Sequence, residues 1–213
     1  MSARRFWVAV LALIAVTASF GFAQTEKNEI GGAAGRIFVS DQGITGATFV
    51  DPVIHSGKGI TMEGEYARRF LVTPLFSVSG EVVGAFNPDE DLNGGAYGSA
   101  VVPTGYKALF ITPAARLNLF PTTAVSPWVS FGAGFGHFSE ASTLVYGGAN
   151  PGKSTTNAVI QGGIGLDVKV WSRLSIRGGV RDFWSGEPDF PLAPTGKTRQ
   201  HNFFVMGGAF WRF

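Results

Sequence analysis

Two short stretches of this 213-residue chain carry residue types that could do chemistry. "GGANPGKST" spaces Gly147, Gly152, Lys153 and Ser154 as in a loop whose amides and lysine surround a nucleotide's phosphates. That chemistry needs a helix N-terminus directly after the loop. The next residues, "TTNAVIQGG", alternate as a strand does, so the stretch reads as a Gly/Pro/Lys connection. "DEDLNGG" places Asp89, Asp91 and Asn93 like the opening ligands of a calcium loop. The carboxylate that should close such a loop falls on Ala100 and no helices flank it. A solvated acidic turn is the better reading, with a weak outward-facing divalent-cation site as the alternative.

The elements that must position any site are set by composition. Charged residues make up 15 % of the chain, against about 25 % in soluble proteins. Glycine (30) and phenylalanine (19) are abundant, and mean hydropathy is +0.19. After the start of the chain, no apolar run approaches the ~18 residues of a spanning helix. The start itself reads as a secretory signal peptide over residues 1–23: basic "MSARR", apolar "FWVAVLALIAV", then small residues before Gln24. Removing Arg4 and Arg5 lowers Lys+Arg from 17 to 15, equal to the 15 Asp+Glu. The mature segment, 24–213, is therefore formally neutral, which argues against nucleic acid as a partner. Cysteine is absent, so export is not used for disulfides.

Eight segments alternate with period two: roughly 30–40, 59–72, 76–86, 105–120, 128–140, 156–171, 174–185 and 200–213. In "AVIQGGIGLDVKVW", Ile160, Ile164, Leu166 and Val168 share one face and Gln161, Asp167 and Lys169 the other. Short links ("TP", "PTTAVS", "SR") alternate with long ones around 41–58, 87–104, 141–155 and 186–199. All long connections therefore emerge at one end, as in barrels that cross the outer membrane with short inner turns and long outer loops. A β protein crossing lipid must close its sheet, because hydrocarbon offers nothing to free backbone amides and carbonyls.

The chain's last residues carry a family resemblance. Gly208, Trp211 and Phe213, with nothing polar following, look like the assembly signal of bacterial outer-membrane barrels. Met206 stands where that signal usually has a polar residue. With the leader and the eight segments, the chain resembles the small barrels of the OmpA-transmembrane-domain, OmpX and OmpW kind. The resemblance implies an all-β, eight-stranded, antiparallel, up-and-down transmembrane barrel. It also implies an outer-membrane location and reading of the last strand by the barrel-assembly machinery. Outer-membrane lipid and lipopolysaccharide would surround a monomer that needs no cofactor, and the residues name no surface partner. The implied role is non-enzymatic: structure, surface interaction, or passage of a small hydrophobic molecule. A soluble exported ligand-binding barrel is the reading of another class.

Strand parity then assigns the interior. Eight strands leave room for side chains but not an open channel. Arg36, Glu63, Glu65, Arg69, Glu81, Arg116, Asp167, Lys169, Arg177 and Arg181 fall inward, and mixed signs in a confined space imply a paired network that plugs the lumen. Phe38, Phe110, Phe138, Phe183 and Phe204 fall inward near the long-loop end. They form an apolar collar, which either packs beneath the loops or, as the OmpW resemblance would imply, receives a hydrophobic ligand. Phe70, Phe76, Trp211 and Phe213 fit an inner aromatic girdle. Finally, His137 and Ser139 share an outward strand face and resemble the His-x-Ser of lipid A deacylases, where a base activates a hydroxyl beside lipid. Glu140 stands where that family has Asn, so the esterase is the alternative reading.

Overall fold

The alternating segments form long antiparallel strands that roll into a closed barrel. A computed structural model describes residues 26–46, 48, 52–94, 100–152, 154–195 and 199–213. The proposed signal peptide, and Lys153 of the Gly/Pro/Lys connection, lie outside the described residues. Ten strands occur among the described residues: β1 (Asn28–Val39), β2 (Gln42–Gly43), β3 (Val53–Ser56), β4 (Ile60–Val72), β5 (Phe76–Asn93), β6 (Gly105–Leu119), β7 (Val125–Glu140), β8 (Ser154–Lys169), β9 (Leu174–Ser185) and β10 (Asn202–Arg212). Eight of them run up and down in the order β1-β4-β5-β6-β7-β8-β9-β10, and β10 pairs back onto β1 from Asn202↔Val39 to Arg212↔Glu29. Each ladder therefore has a neighbour on both sides, which is the condition for a sheet to cross hydrocarbon.

The tight ends are held by local bonds. In the "TP" turn, Thr73 donates its backbone N–H to the Phe76 carbonyl (2.8 Å) and accepts from the Phe76 N–H at its hydroxyl (3.0 Å). In the next turn Thr123 donates its hydroxyl to the Phe120 carbonyl at 2.8 Å.

The barrel is inverted relative to a water-soluble one. Phe131 is 69 % exposed and Ile164 63 %, whereas Glu65 is 4 % exposed and Arg177 0 %. Such a surface is unfavourable in water, since each buried large apolar side chain is worth about 1.5–3 kcal/mol. Against acyl chains the same surface costs nothing. Phe70, Phe76, Trp211 and Phe213 are exposed at the short-turn end, where an inner girdle belongs. Trp171 joins them from the 170–173 turn, while Trp128 is buried inside the barrel.

Three expectations from sequence are corrected. First, "DEDLN" is not an acidic turn: β5 continues through it to Asn93, paired with β6 as far as Asp91↔Gly105. A bulge between Asn87 and Glu90 absorbs Pro88, and buried Glu90 accepts from Asn87 Nδ2 (2.7 Å) and the Gly59 N–H (3.1 Å) to stabilise it. Second, the connection read as a loop over 41–58 contains β2 and β3, with β3 joining β5 through His55↔Asn93. Third, the parity of β1 is opposite to that expected: Glu29, Ala33 and Ile37 face in, and Arg36 and Phe38 face out. "GGAAGR" has almost no apolar contrast, so its residues do not reveal which side is which.

Candidate functional site

The lumen holds two stacked layers. The lower, at the short-turn end, is ionic and draws on nearly every barrel strand. Glu29 Oε1 (β1) accepts from Arg116 Nη2 (β6) and from Arg177 Nη2 (β9), both at 2.6 Å, and its Oε2 accepts from Arg212 Nε (β10) at 2.9 Å. Glu65 Oε1 (β4) accepts from Arg116 Nη1 at 2.5 Å and Arg177 Nη1 at 2.7 Å. Its Oε2 accepts from Arg181 Nη2 at 2.7 Å. Asp167 (β8) takes Arg177 Nε at 2.6 Å and Asn118 Nδ2 at 3.1 Å. Glu81 (β5) takes Arg181 Nη1 at 2.8 Å, and Glu63 lies 3.1 Å from Arg181 Nε. Arg69 stands at the edge, 4.0 Å from Glu29.

Counted together, five carboxylates (Glu29, Glu63, Glu65, Glu81, Asp167) face five guanidiniums (Arg69, Arg116, Arg177, Arg181, Arg212). The layer is formally neutral. Burying these ions costs several kcal/mol each, which only multiple, well-aligned partners can offset. Rings complete the packing. Phe210 lies 3.9 Å from the Arg177 guanidinium, and Trp128 lies 5.0 Å from that of Arg181. The Trp128 indole rests on a floor of glycines: a Cβ at Gly165 or Gly179 would come within 2.6 or 2.7 Å of it.

The upper layer is apolar. Phe110 stacks on Phe183 (4.8 Å, 10°) and meets Phe138 edge-on (5.7 Å, 82°), with Phe204 and Ile37 beside them; all five side chains are buried. Tyr106 carries the contact upward to Phe190 of the 186–201 connection at 6.5 Å. Four of the five rings of the expected collar thus meet in one cluster under the outer connections. Phe38 does not; it points outward for the parity reason given above.

The remaining candidates separate. Arg36 is exposed on the outer wall, donating Nη1 to the Lys58 carbonyl at 2.9 Å. Lys169 has inward parity but lies at the mouth, exposed, beyond the reach of the network. Asp89, Asp91 and Asn93 are exposed along β5, and no metal-holding group of three His, Cys, Asp or Glu occurs among the described residues. His137 faces out, but its Nδ1 bonds Thr156 Oγ1 at 2.8 Å, on the neighbouring strand. Ser139 lines an outer cleft with Asp89, Asp91, Lys107 and Glu140. Gly208 lies opposite Ala33 on the closing seam, with Trp211 and Phe213 at its membrane-facing end.

Sequence reasoning missed Glu29 and Arg212. Arg212 shares the parity of Phe204 and Phe210, so it was findable; Glu29 lay just before the assumed strand start.

No protein-family model and no curated protein matches the chain in sequence. Solved structures do. OprG from Pseudomonas aeruginosa is 12 % identical with a TM-score of 0.57, over 89 % of this chain and 97 % of that one. Ail, the attachment invasion locus protein of Yersinia pestis, is 15 % identical with a TM-score of 0.52, over 89 % of this chain and 100 % of that one. Neisserial surface protein A is 12 % identical with a TM-score of 0.51, again over 89 % and 100 %. The fold is that of the small eight-stranded outer-membrane barrels. At these identities the likeness concerns architecture, and function must be argued from the side chains above.

Proposed function

We propose that the chain is an integral outer-membrane barrel with a closed lumen, acting non-enzymatically as an envelope component that presents an outer surface. The observation that carries this reading is the double filling of the interior. A neutral ionic layer and a buried phenylalanine layer lie in series along the axis, so a solute would have to displace both. The strands also exceed what a bilayer requires. About 9–11 tilted residues span the hydrocarbon, whereas β5 has 18 residues and β7 and β8 have 16 each. The surplus projects at the long-connection end, where Ile54, Leu92, Val102, Phe190 and Ala193 are buried as an extension of the barrel's own core. A projecting platform with its own packing suits contact with a surface partner. Assembly by the barrel-assembly machinery, existence as a monomer and an envelope of outer-membrane lipid belong to the same reading.

The test is electrical. Refolded barrel reconstituted into planar bilayers is expected to give no steady unit conductance at low voltage. A stable ohmic step in each insertion would contradict the closed lumen and favour a passage role.

A further inference from the structure

Outside the barrel, near the long-connection end, several side chains form a feature that the closed lumen does not explain. Trp184 stacks on His201 (6.1 Å, 17°) and His201 on Phe203 (5.4 Å, 6°), a ladder across β9 and β10. Phe203 is the register partner of Phe38 on β1, so the rings continue onto a third strand. Each end of this ladder carries a cation. The Arg199 guanidinium lies 4.5 Å from the Trp184 ring, and Lys58 Nζ lies 5.6 Å from the Phe38 ring. Arg36, bonded to the Lys58 carbonyl, adds a third.

Among the described residues, no carboxylate lies within ion-pair distance of Arg36, Lys58 or Arg199. The acids nearby are engaged elsewhere: Asp182 with His201 Nδ1 at 2.6 Å, Asp41 with His55 Nδ1 at 2.9 Å, and Glu90 with the Gly59 N–H at 3.1 Å. Spread over strands spaced ~4.8 Å apart, the cations cover roughly 10–15 Å along the wall, too far for one small anion to bridge.

The wall below them is apolar and flat. Arg36 sits in a cross-strand row with Val205 and Val180; the next row inward is Ala34, Gly207 and Gly178. Small residues there let a hydrocarbon chain approach the sheet closely. Cations above, rings at the boundary and a smooth apolar strip beneath complement a molecule with acidic groups at its head and chains below.

We propose that Arg36, Lys58 and Arg199 bind the multiply phosphorylated headgroup of an outer-leaflet glycolipid, with its chains against the β9–β10–β1 wall. This rests on the outer-membrane reading above. Guanidinium and ammonium groups make charge-assisted bonds to phosphate oxygens, and the rings beneath hold the long side chains in place.

The experiment uses the full chain, folded in mild detergent, with foldedness read from the mobility difference between unboiled and boiled samples. The probe is a diphosphorylated disaccharide lipid, and its dephosphorylated form is the control; bound lipid is counted by native mass spectrometry. The wild type is expected to retain one diphosphorylated lipid. The combined variant Arg36→Gln, Lys58→Gln, Arg199→Gln is expected to bind about tenfold or more weakly, through loss of three charge-assisted contacts. Lys107→Gln with Lys169→Gln, exposed cations away from the patch, should leave binding unchanged. Should the triple variant not fold, Arg199→Gln alone must still weaken binding. Equal binding by a folded charge variant, or of the dephosphorylated lipid, overturns the proposal. Tripolyphosphate bound as tightly as the lipid would make the occupant a soluble polyanion and overturn it as well. Because binding is read in detergent, absence of the chain from outer membranes would count against the proposed location without imitating any of these results.

Discussion

Replacing Arg177 by Met is expected to destabilise the folded barrel by about 3–5 kcal/mol, the cost of leaving buried charges without their partner. Arg177 donates to Glu29, Glu65 and Asp167 together, through four hydrogen bonds. Methionine fills much of the space but leaves the layer with one excess negative charge. The loss should appear as a lower urea midpoint for the folded, heat-modifiable form in lipid vesicles. Asp167 draws most of its contacts from Arg177, so adding Asp167→Asn should restore a large part of the loss. That recovery separates an uncompensated charge from lost packing, because the two substitutions are then strongly non-additive. Equal destabilisation by the single and double variants would show that the network is not the source.

Gly165→Val should be the next most damaging single change, costing about 1–3 kcal/mol by overpacking and lying toward the upper end. A Cβ at this position would stand 2.3 Å from the Gly178 carbonyl oxygen and 2.6 Å from Trp128. The first is backbone and cannot step aside cheaply. Gly163→Ala is the informative contrast, since the three atoms nearest its Cβ would belong to side chains, the first being Ser130 Oγ at 2.8 Å. It should cost distinctly less. The temperature at which the compact electrophoretic form converts to the unfolded one reads both. Equal shifts would mean that the glycine floor beneath Trp128 does not depend on the wall's close approach.

Those two residues also show what could be read without a structure. The inward side of Glu63, Glu65, Glu81, Arg116, Asp167, Arg177 and Arg181 followed from parity, because each strand there sets Val, Ile or Leu against a charge and a slip of one would put ions in lipid. β1 gave no such contrast. Glycine and alanine fit either face, and Arg36 was assigned to the lumen although the outer rim also accepts a cation. The acidic "DEDLN" misled for a related reason: beyond the bilayer a strand's outward residues meet water, so hydrophobic alternation gives way to acidic residues while the ladder continues. Trp128 had the parity of a lumen residue, but only its glycine floor, contributed by β8 and β9, explains how an indole fits there. Which carboxylate meets which guanidinium depends on closure across the barrel, between residues separated by up to 183 positions, as Glu29 and Arg212 are.

The most direct test of the account is tryptophan quenching by brominated lipid, because the central claim is that the apolar wall touches hydrocarbon and the ionic face is enclosed. Two variants, each keeping one tryptophan and replacing the others by Phe, report the two sides: Trp211 is 45 % exposed on the outer wall and Trp128 is 1 % exposed within the lumen. Folded in vesicles, the Trp211 variant is predicted to be strongly quenched and the Trp128 variant to remain bright. Stronger quenching of Trp128 than of Trp211, or a folded protein that stays dispersed in buffer and leaves both bright, would contradict it.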